Sequence, residues 1–333
     1  MLILLFYILL GMIASFLLTF YTTPLLIRAM GNRNIVGIDM NKYDKRKIPE
    51  LGGIGVWFGF CFGMITIIFL TSYVGLIQFD LISLLASFST ILMIALIGVF
   101  DDLIGWKTGI RQWQHALLPI FAALPLMAIN INNPAIKVPL FGLIDFGIIY
   151  SAILVPIGIT GAANATNMLG GLNGLEAGLG AIITLTLGCI ALICGKPEAA
   201  ILCFLMLASL LAFLIFNWYP ARIFGGDSLT LMIGATIGAA AIIGDLEKIG
   251  ILLMVIYFIE LLIKGKHKFK SECFGIPQAD GTLMTNPAGG SLTHFVMKQG
   301  RFTEKQVVLI LLGVQLLISI AVISASLLNI IYI

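Results

Sequence analysis

Apolar residues fall in runs of membrane length along this chain, and polar residues gather between the runs. A helix needs about 17–25 predominantly apolar residues to cross the hydrocarbon core of a bilayer. Ten such spans are predicted, at roughly residues 3–27, 51–72, 82–100, 113–131, 147–164, 177–195, 198–216, 228–244, 248–264 and 306–329. Several contain Gly or Pro, which membrane helices tolerate because neighbouring groups re-satisfy the backbone. The first run is too long for a secretory h-region, and Arg28 and Arg33 follow it instead of preceding it, so it is expected to be a retained first helix. In the connection from Asn130 to Phe146, the segment Lys137-Val-Pro-Leu-Phe141 is read as a short hairpin. The chain carries no internal repeat, which argues against a transporter built from inverted repeats.

Composition agrees with this pattern. Hydrophobic residues make up 60% of the 333 and charged residues 11%, against about 45–50% and 25% in soluble domains. A water-soluble fold cannot hide that much apolar surface. The five cysteines form no CxxC pair, so neither a metal knuckle nor a disulfide framework is read. The net charge of +3 is less informative than its placement. Of the 19 Lys and Arg residues, all but Lys137, Lys196 and Lys248 fall in the odd-numbered loops between the ten spans. The positive-inside rule then puts odd loops in the cytoplasm and both termini outside. The expected fold is an all-α polytopic membrane protein, a single integral-membrane domain over residues 1–333 with about ten transmembrane helices.

The polar clusters with chemical potential also fall in the odd loops. The first loop runs Asp39-Met40-Asn41-Lys42 to Pro49-Glu50 and Gly52-Gly53. Its basic run and Gly pair suit either an anionic ligand or a topology anchor at anionic head groups. The third span ends in Asp101-Asp102, whose mutual repulsion calls for a nearby cation or for solvation at a loop start. The fifth loop holds Asn164, Asn167, Asn173 and Glu176 among glycines. Asn oxygens can ligate a hard cation or meet a nucleobase edge, and the same residues can cap helices. The seventh loop places Phe224 three residues before Asp227, on one face of a helical turn, where an aromatic can support a base beside a metal carboxylate. The ninth loop is long and basic and has His267 and His294, without HxxxH or HExxH spacing, so no zinc is expected. His115, at the start of the fourth span, is more commonly a helix-end residue than a catalyst. Carboxylates, amide oxygens, glycine turns, an aromatic ring and a basic surround together suit a magnesium–pyrophosphate–nucleoside ligand.

Three motifs in order, Asp101-Asp102, Asn167 to Gly174, and Asn217-x-x-Pro220-Ala-x-x-Phe224-x-Gly226-Asp227, resemble those of the polyprenyl-phosphate N-acetylhexosamine-1-phosphate transferases. The ten-span pattern extends the resemblance over nearly the whole chain. Asp39-x-Asn41-Lys42, Ile48-Pro49-Glu50, Asn173-Gly-Leu-Glu176 and Asn217-Trp-Tyr-Pro220 are similar to the dolichyl-phosphate GlcNAc-1-phosphate transferase branch. The resemblance implies Mg²⁺, with Mn²⁺ as a substitute, held by Asn167 and Asp227. It implies that Asn173 reads uracil and Phe224 stacks on it, that Glu50 and the backbone at Met40 frame the nucleotide, and that Asp101 and Asp102 lie where the lipid phosphate attacks. Arg111 is kept, whereas His115 stands where the family has a lysine. The ninth loop has Phe274-Gly-Ile-Pro-Gln278 where the eukaryotic branch has a His/Arg cluster.

The implied reaction moves N-acetylhexosamine-1-phosphate, GlcNAc-1-phosphate first among the choices, from a UDP-sugar to a polyprenyl (dolichyl) phosphate. UMP is released, on the cytoplasmic face of the cell membrane, or of the endoplasmic reticulum in a eukaryote. The short ninth loop and lean even loops favour an archaeal cell-membrane enzyme, and the pathway would then be protein N-glycosylation. The alternatives are an undecaprenyl-phosphate transferase of cell-wall or surface polysaccharide synthesis and, more remotely, a transporter. Membrane lipid is an expected partner and nucleic acid is not; monomer and homodimer both stay open.

Overall fold

The computed structural model describes residues 2–104, 112–129, 135–138, 142–287 and 289–328. Helices dominate them, joined by a few short strands. Among the described residues, six helices are long and apolar enough to cross a membrane. They are α1 (Leu2–Asn32), α2 (Gly53–Phe69, prolonged by a π-turn to Val74), α3 (Leu81–Ile104), α7 (Leu175–Ile193), α8 (Pro197–Asn217) and α13 (Glu304–Leu327).

The other four predicted spans coincide with helical segments that are shorter or interrupted. The fourth falls on α4 (Gln112–Ala122) and α5 (Leu124–Ala128), which part at Ala123 beside Pro119 and Pro125. The fifth falls on a π-turn, Tyr150–Leu154, running into α6 (Val155–Met168). The eighth is α9 (Asp227–Ile243), of 17 residues. The ninth is divided at Met254 into α10 (Glu247–Leu253) and α11 (Val255–Lys266). Apolar periodicity does not register such breaks, because the residues on both sides remain apolar.

Helix α8 is buried along most of its length and lies at the centre, while α1 exposes much of its surface. Without a hydrophobic drive between helices in lipid, small residues govern their approach. A stripe on α1, Gly11, Ser15, Thr19 and Thr23, repeats every four residues and meets Gly55, Gly59 and Gly63 on α2. A methyl group on Gly59 would sit 1.9 Å from Thr19 Oγ1, and one on Gly63 would sit 1.9 Å from Ser15 Oγ. Helix α9 packs against α3 and α6 in the same manner.

Three small sheets decorate the bundle. In the first loop, β1 (Val36–Ile38) pairs antiparallel with β2 (Lys47–Pro49). The expected hairpin in the fourth loop is present but wider than Lys137–Phe141: β3 (Ala135–Val138) pairs with β4 (Gly142–Asp145), and residues 139–141 lie outside the described set. The ninth loop carries β5 (Ile276–Pro277), β6 (Thr282–Met284) and β7 (Phe302–Thr303) in one antiparallel sheet, with α12 (Leu292–Lys298) between.

Loop contacts divide into two groups. Even loops meet each other: the Asp80 N–H donates to Glu198 at 2.8 Å, Lys196 pairs with Asp245, and Tyr150 donates to Glu247. Odd loops meet each other in the contacts described next. This is the separation expected when successive connections alternate between two ends of a bundle.

Candidate active site

The site starts at the first turn of α9. A helix leaves its first N–H groups without partners inside the helix, and the residue preceding this one, Gly226, has no side chain to cap them. Asp102, on the last turn of α3, does so instead. Its carboxylate accepts from the N–H of Asp227 at 2.7 Å and of Ser228 at 3.1 Å. Two glycines make room. Gly98 lies one turn back on α3, and a methyl group there would come within 2.6 Å of the Asp227 carbonyl. Gly226 has φ +73°, and a methyl group on it would meet the Asp102 carboxylate at 2.4 Å.

The first and seventh loops are paired through the backbone. The Phe224 N–H donates to the Pro49 carbonyl, and the N–H groups of Gly52 and Gly53 donate to the carbonyls of Phe224 and Gly225, each at 2.8 Å. This docking brings Glu50 and Phe224 together over Gly37, where a methyl group would sit 2.1 Å from the Glu50 carboxylate and 3.2 Å from the Phe224 ring. Glu50 is half-buried. Burial, and after it the negative charge of Asp227, holds its carboxyl above the ordinary glutamate range.

Asn167, near the end of α6, reaches the same helix. Its side-chain oxygen accepts from Thr230 Oγ1 at 2.9 Å, and Thr230 is three residues beyond Asp227, on the same face. The end of α6 is held from the ninth loop, where Lys264 Nζ donates to the Met168 carbonyl. Asn164 donates to Thr160 of its own helix, and Glu176 accepts from the Gly171 N–H at 2.7 Å. Neither bond caps a helix end: Asn164 lies within α6, and Glu176, in the first turn of α7, holds the glycine turn that precedes it.

Asn173 is buried, and its amide is fully engaged. Nδ2 donates to Glu304 at 2.6 Å and to Asp39 at 3.2 Å, while Oδ1 accepts from the Ala221 N–H at 2.6 Å. Lys42 is also buried. It pairs with Glu304, lies 3.6 Å from Asp39 and sits 4.0 Å above the Tyr219 ring. Asn41 links three loops, donating to the Gly171 carbonyl at 2.7 Å and accepting from the Gly275 N–H at 3.0 Å. Asp39, Asn41 and Lys42 thus face inward as a clamp on the fifth, seventh and ninth loops. The stretch from Tyr43 to Lys47 is exposed, as are Arg33, Asn34 and Ile38 nearer α1.

The structure therefore gathers Asp102, Asp227, Asn167, Glu50 and Phe224 around the head of α9, with Asp101 half-buried beside Asp102. Met40 lies in the turn after β1. His115 is on α4, but its side chain lies outside the described set, as does all of Arg111. Glu304, Lys42 and Thr230 were not among the predicted site residues. The Thr303-x-x-Gln306 capping box, legible in the sequence, marks where Glu304 sits but not what it touches. Among the described residues, no three His, Cys, Asp or Glu side chains converge as a metal centre. Asp227 on α9, and the Asn167 oxygen that α6 holds at Thr230 one turn further along, are ligand types that fit Mg²⁺, which takes few protein ligands and completes its shell with phosphate and water oxygens.

Comparison with known proteins gives the family. Residues 84–245, from α3 through α9, match the glycosyl transferase family 4. A Saccharolobus solfataricus protein, provisionally named UDP-N-acetylglucosamine–dolichyl-phosphate N-acetylglucosaminephosphotransferase, is 39% identical over 94% of this chain and 95% of its own. A Sulfolobus acidocaldarius protein of the same provisional name is 39% identical over 94% of both. The phospho-N-acetylmuramoyl-pentapeptide-transferase of Limosilactobacillus fermentum is 30% identical over 76% of this chain and 79% of its own.

Proposed function

Since this chain belongs to the glycosyl transferase family 4, we propose that it transfers GlcNAc-1-phosphate from UDP-GlcNAc to dolichyl phosphate, giving dolichyl-diphosphate-GlcNAc and UMP. The observation that carries the proposal is the reach of Asn167 to Thr230, one turn beyond Asp227 on the same face of α9. Phe224 lies three residues before Asp227, in the loop ahead of the helix and not on a helical turn. The similar archaeal proteins, matched nearly end to end, favour this donor and acceptor over the cell-wall pair. In this reading all ten helical segments cross the membrane, the termini lie outside, and the odd loops with the site face the cytoplasm, where UDP-sugars are found.

The lipid phosphate attacks the β-phosphorus of the UDP-sugar. A P–O bond forms, the bond between the β-phosphorus and the α–β bridging oxygen breaks, and UMP leaves with the electron pair. A phosphate monoester has a second pKa of about 6, so the nucleophile is largely dianionic at neutral pH and needs little help from a base. Asp227 and Asn167 would hold Mg²⁺ against the diphosphate, which when bound neutralises charge shared by nucleophile and leaving group. Phe224 offers the uracil a face, and Glu50 borders the same pocket. Asp102 keeps the head of α9 in place, and Asp101 flanks the approach of the lipid phosphate.

The test is UMP release by the purified protein in detergent, with UDP-GlcNAc and dolichyl phosphate. Release should require both substrates and a divalent cation, stop with EDTA and return with Mg²⁺. Other UDP-N-acetyl sugars and undecaprenyl phosphate in parallel assays fix donor and acceptor. Absence of UMP from every pairing would defeat the proposal.

A further inference from the structure

Buried charge is costly unless each ion is paired and hydrogen-bonded. Asp39, Lys42 and Glu304 are all buried, and they join chain segments some 260 residues apart. We infer that Glu304 is a positioning residue for the nucleotide half of the site. One carboxylate oxygen grips Asn173 twice, accepting its backbone N–H at 2.7 Å and its side-chain N–H at 2.6 Å, while the other is held by Lys42. The inference rests on the proposed transferase reading, in which Phe224 meets the nucleotide.

The geometry makes the effect selective. Asn173 passes the constraint to the seventh loop through the Ala221 N–H, three residues before Phe224. The ring of Tyr219, in that loop, lies under Lys42, and Trp218 packs on Gly174. The turn is pinned again at Gly171, by Asn41 on the carbonyl and Glu176 on the N–H. In these contacts Glu304 touches Lys42 of the first loop and Asn173 of the fifth, and only through them the seventh. The end of α3, with Asp101 and Asp102, is held separately through the head of α9. Removing the Glu304 grip should loosen recognition of the UDP-sugar and spare that of the lipid phosphate.

Two double variants separate this role from simple stability. Lys42→Met/Glu304→Met and Lys42→Met/Glu304→Gln both delete the buried Lys42–Glu304 pair, and both leave Asp39 to the Asn173 amide without Lys42, so that cost is common to the two. Only the second keeps a carbonyl acceptor for Asn173. The Met/Met variant should raise KM for UDP-GlcNAc, and Kd for UMP measured by calorimetry, about tenfold or more. KM for dolichyl phosphate should stay within about twofold. The Met/Gln variant should bring the UDP-GlcNAc KM back to within about threefold of wild type.

If the Met/Met protein does not fold, the single Glu304→Gln variant decides. Its amide faces the Lys42 ammonium, so UDP-GlcNAc KM should rise, and adding Lys42→Met should lower it again. Equal KM values for the two doubles, a dolichyl-phosphate KM that climbs in step, or a wild-type KM in the single variant would overturn the inference. An inactive wild-type protein would instead count against the transferase reading.

Discussion

The carboxylate of Asp102 accepts the backbone N–H of Asp227 at 2.7 Å, so the last turn of α3 caps the first turn of α9. A helix N-terminus carries partial positive charge, and a carboxylate there is stabilising. Asp102→Ala should cost about 1–2 kcal/mol of stability through the lost cap. Activity should fall as well, because the capped turn carries Asp227. Asp102→Asn keeps an oxygen acceptor and should cost less than about 1 kcal/mol. Unfolding in detergent alongside UMP release measures both effects. Equal stability of the Ala variant and wild type would show that the cap is idle.

Replacing Asp227 separates chemistry from structure, because the cap from Asp102 holds the backbone N–H at that position, which Ala keeps. Asp227→Ala should leave unfolding within about 0.5 kcal/mol of wild type. Turnover should fall about 10³-fold, the scale on which a preorganised electrostatic contact counts. A fully active Asp227→Ala protein would remove this residue from the mechanism.

Gly226 has φ +73° and ψ −178°, and its missing methyl group leaves space that the Asp102 carboxylate fills. Gly226→Ala is expected to strain the backbone by about 1–3 kcal/mol. It should also push Asp102 off the head of α9 and lower kcat about 10²-fold, as small misplacements at a site do. A variant with wild-type kcat would mean that the gap can be closed without moving the cap.

Much of this architecture was legible in the sequence, for one reason. In a chain so apolar, a polar residue at a span border is expensive, so its position is informative. That logic singled out Asp101, Asp102, Asn167, Phe224 and Asp227, which lie around the head of α9, and the Lys and Arg count sorted the loops into the two groups that make contacts among themselves. Partnership was not legible. The hold of Glu304 on Asn173 depends on how α13 docks beside the fifth loop, and the cap from Asp102 depends on Gly98 letting α3 approach α9. Neither leaves a periodic trace. The basic first loop could be read as an anchor or an anion wrap, yet Asp39, Asn41 and Lys42 turn inward while the basic stretch from Tyr43 to Lys47 stays exposed. Breaks within apolar stretches, at Ala123 and Met254, were invisible for the same reason that the stretches were obvious.

Glu50 gives a prediction that can be read without turnover. Burial first, and the charge of Asp227 second, keep its carboxyl above the ordinary glutamate range. A group whose folded-state pKa is raised binds its proton more tightly in the native protein. Its contribution to stability is complete below the unfolded value of about 4.3 and is lost as pH rises through the raised folded value. Ionised Glu50 therefore opposes folding at neutral pH in metal-free protein. Glu50→Gln should melt above wild type at pH 7, and the difference should shrink on acidification. Asp227→Asn removes one of the two causes, so the remaining gain from Glu50→Gln should be smaller in that background. Mg²⁺ bound beside Asp227 should have the same effect by favouring the Glu50 anion. Thermal melts of the four proteins in detergent from about pH 4 to 8, with EDTA and then with Mg²⁺, test each part. A difference between wild type and Glu50→Gln that stays constant across that range would show that Glu50 has no raised pKa.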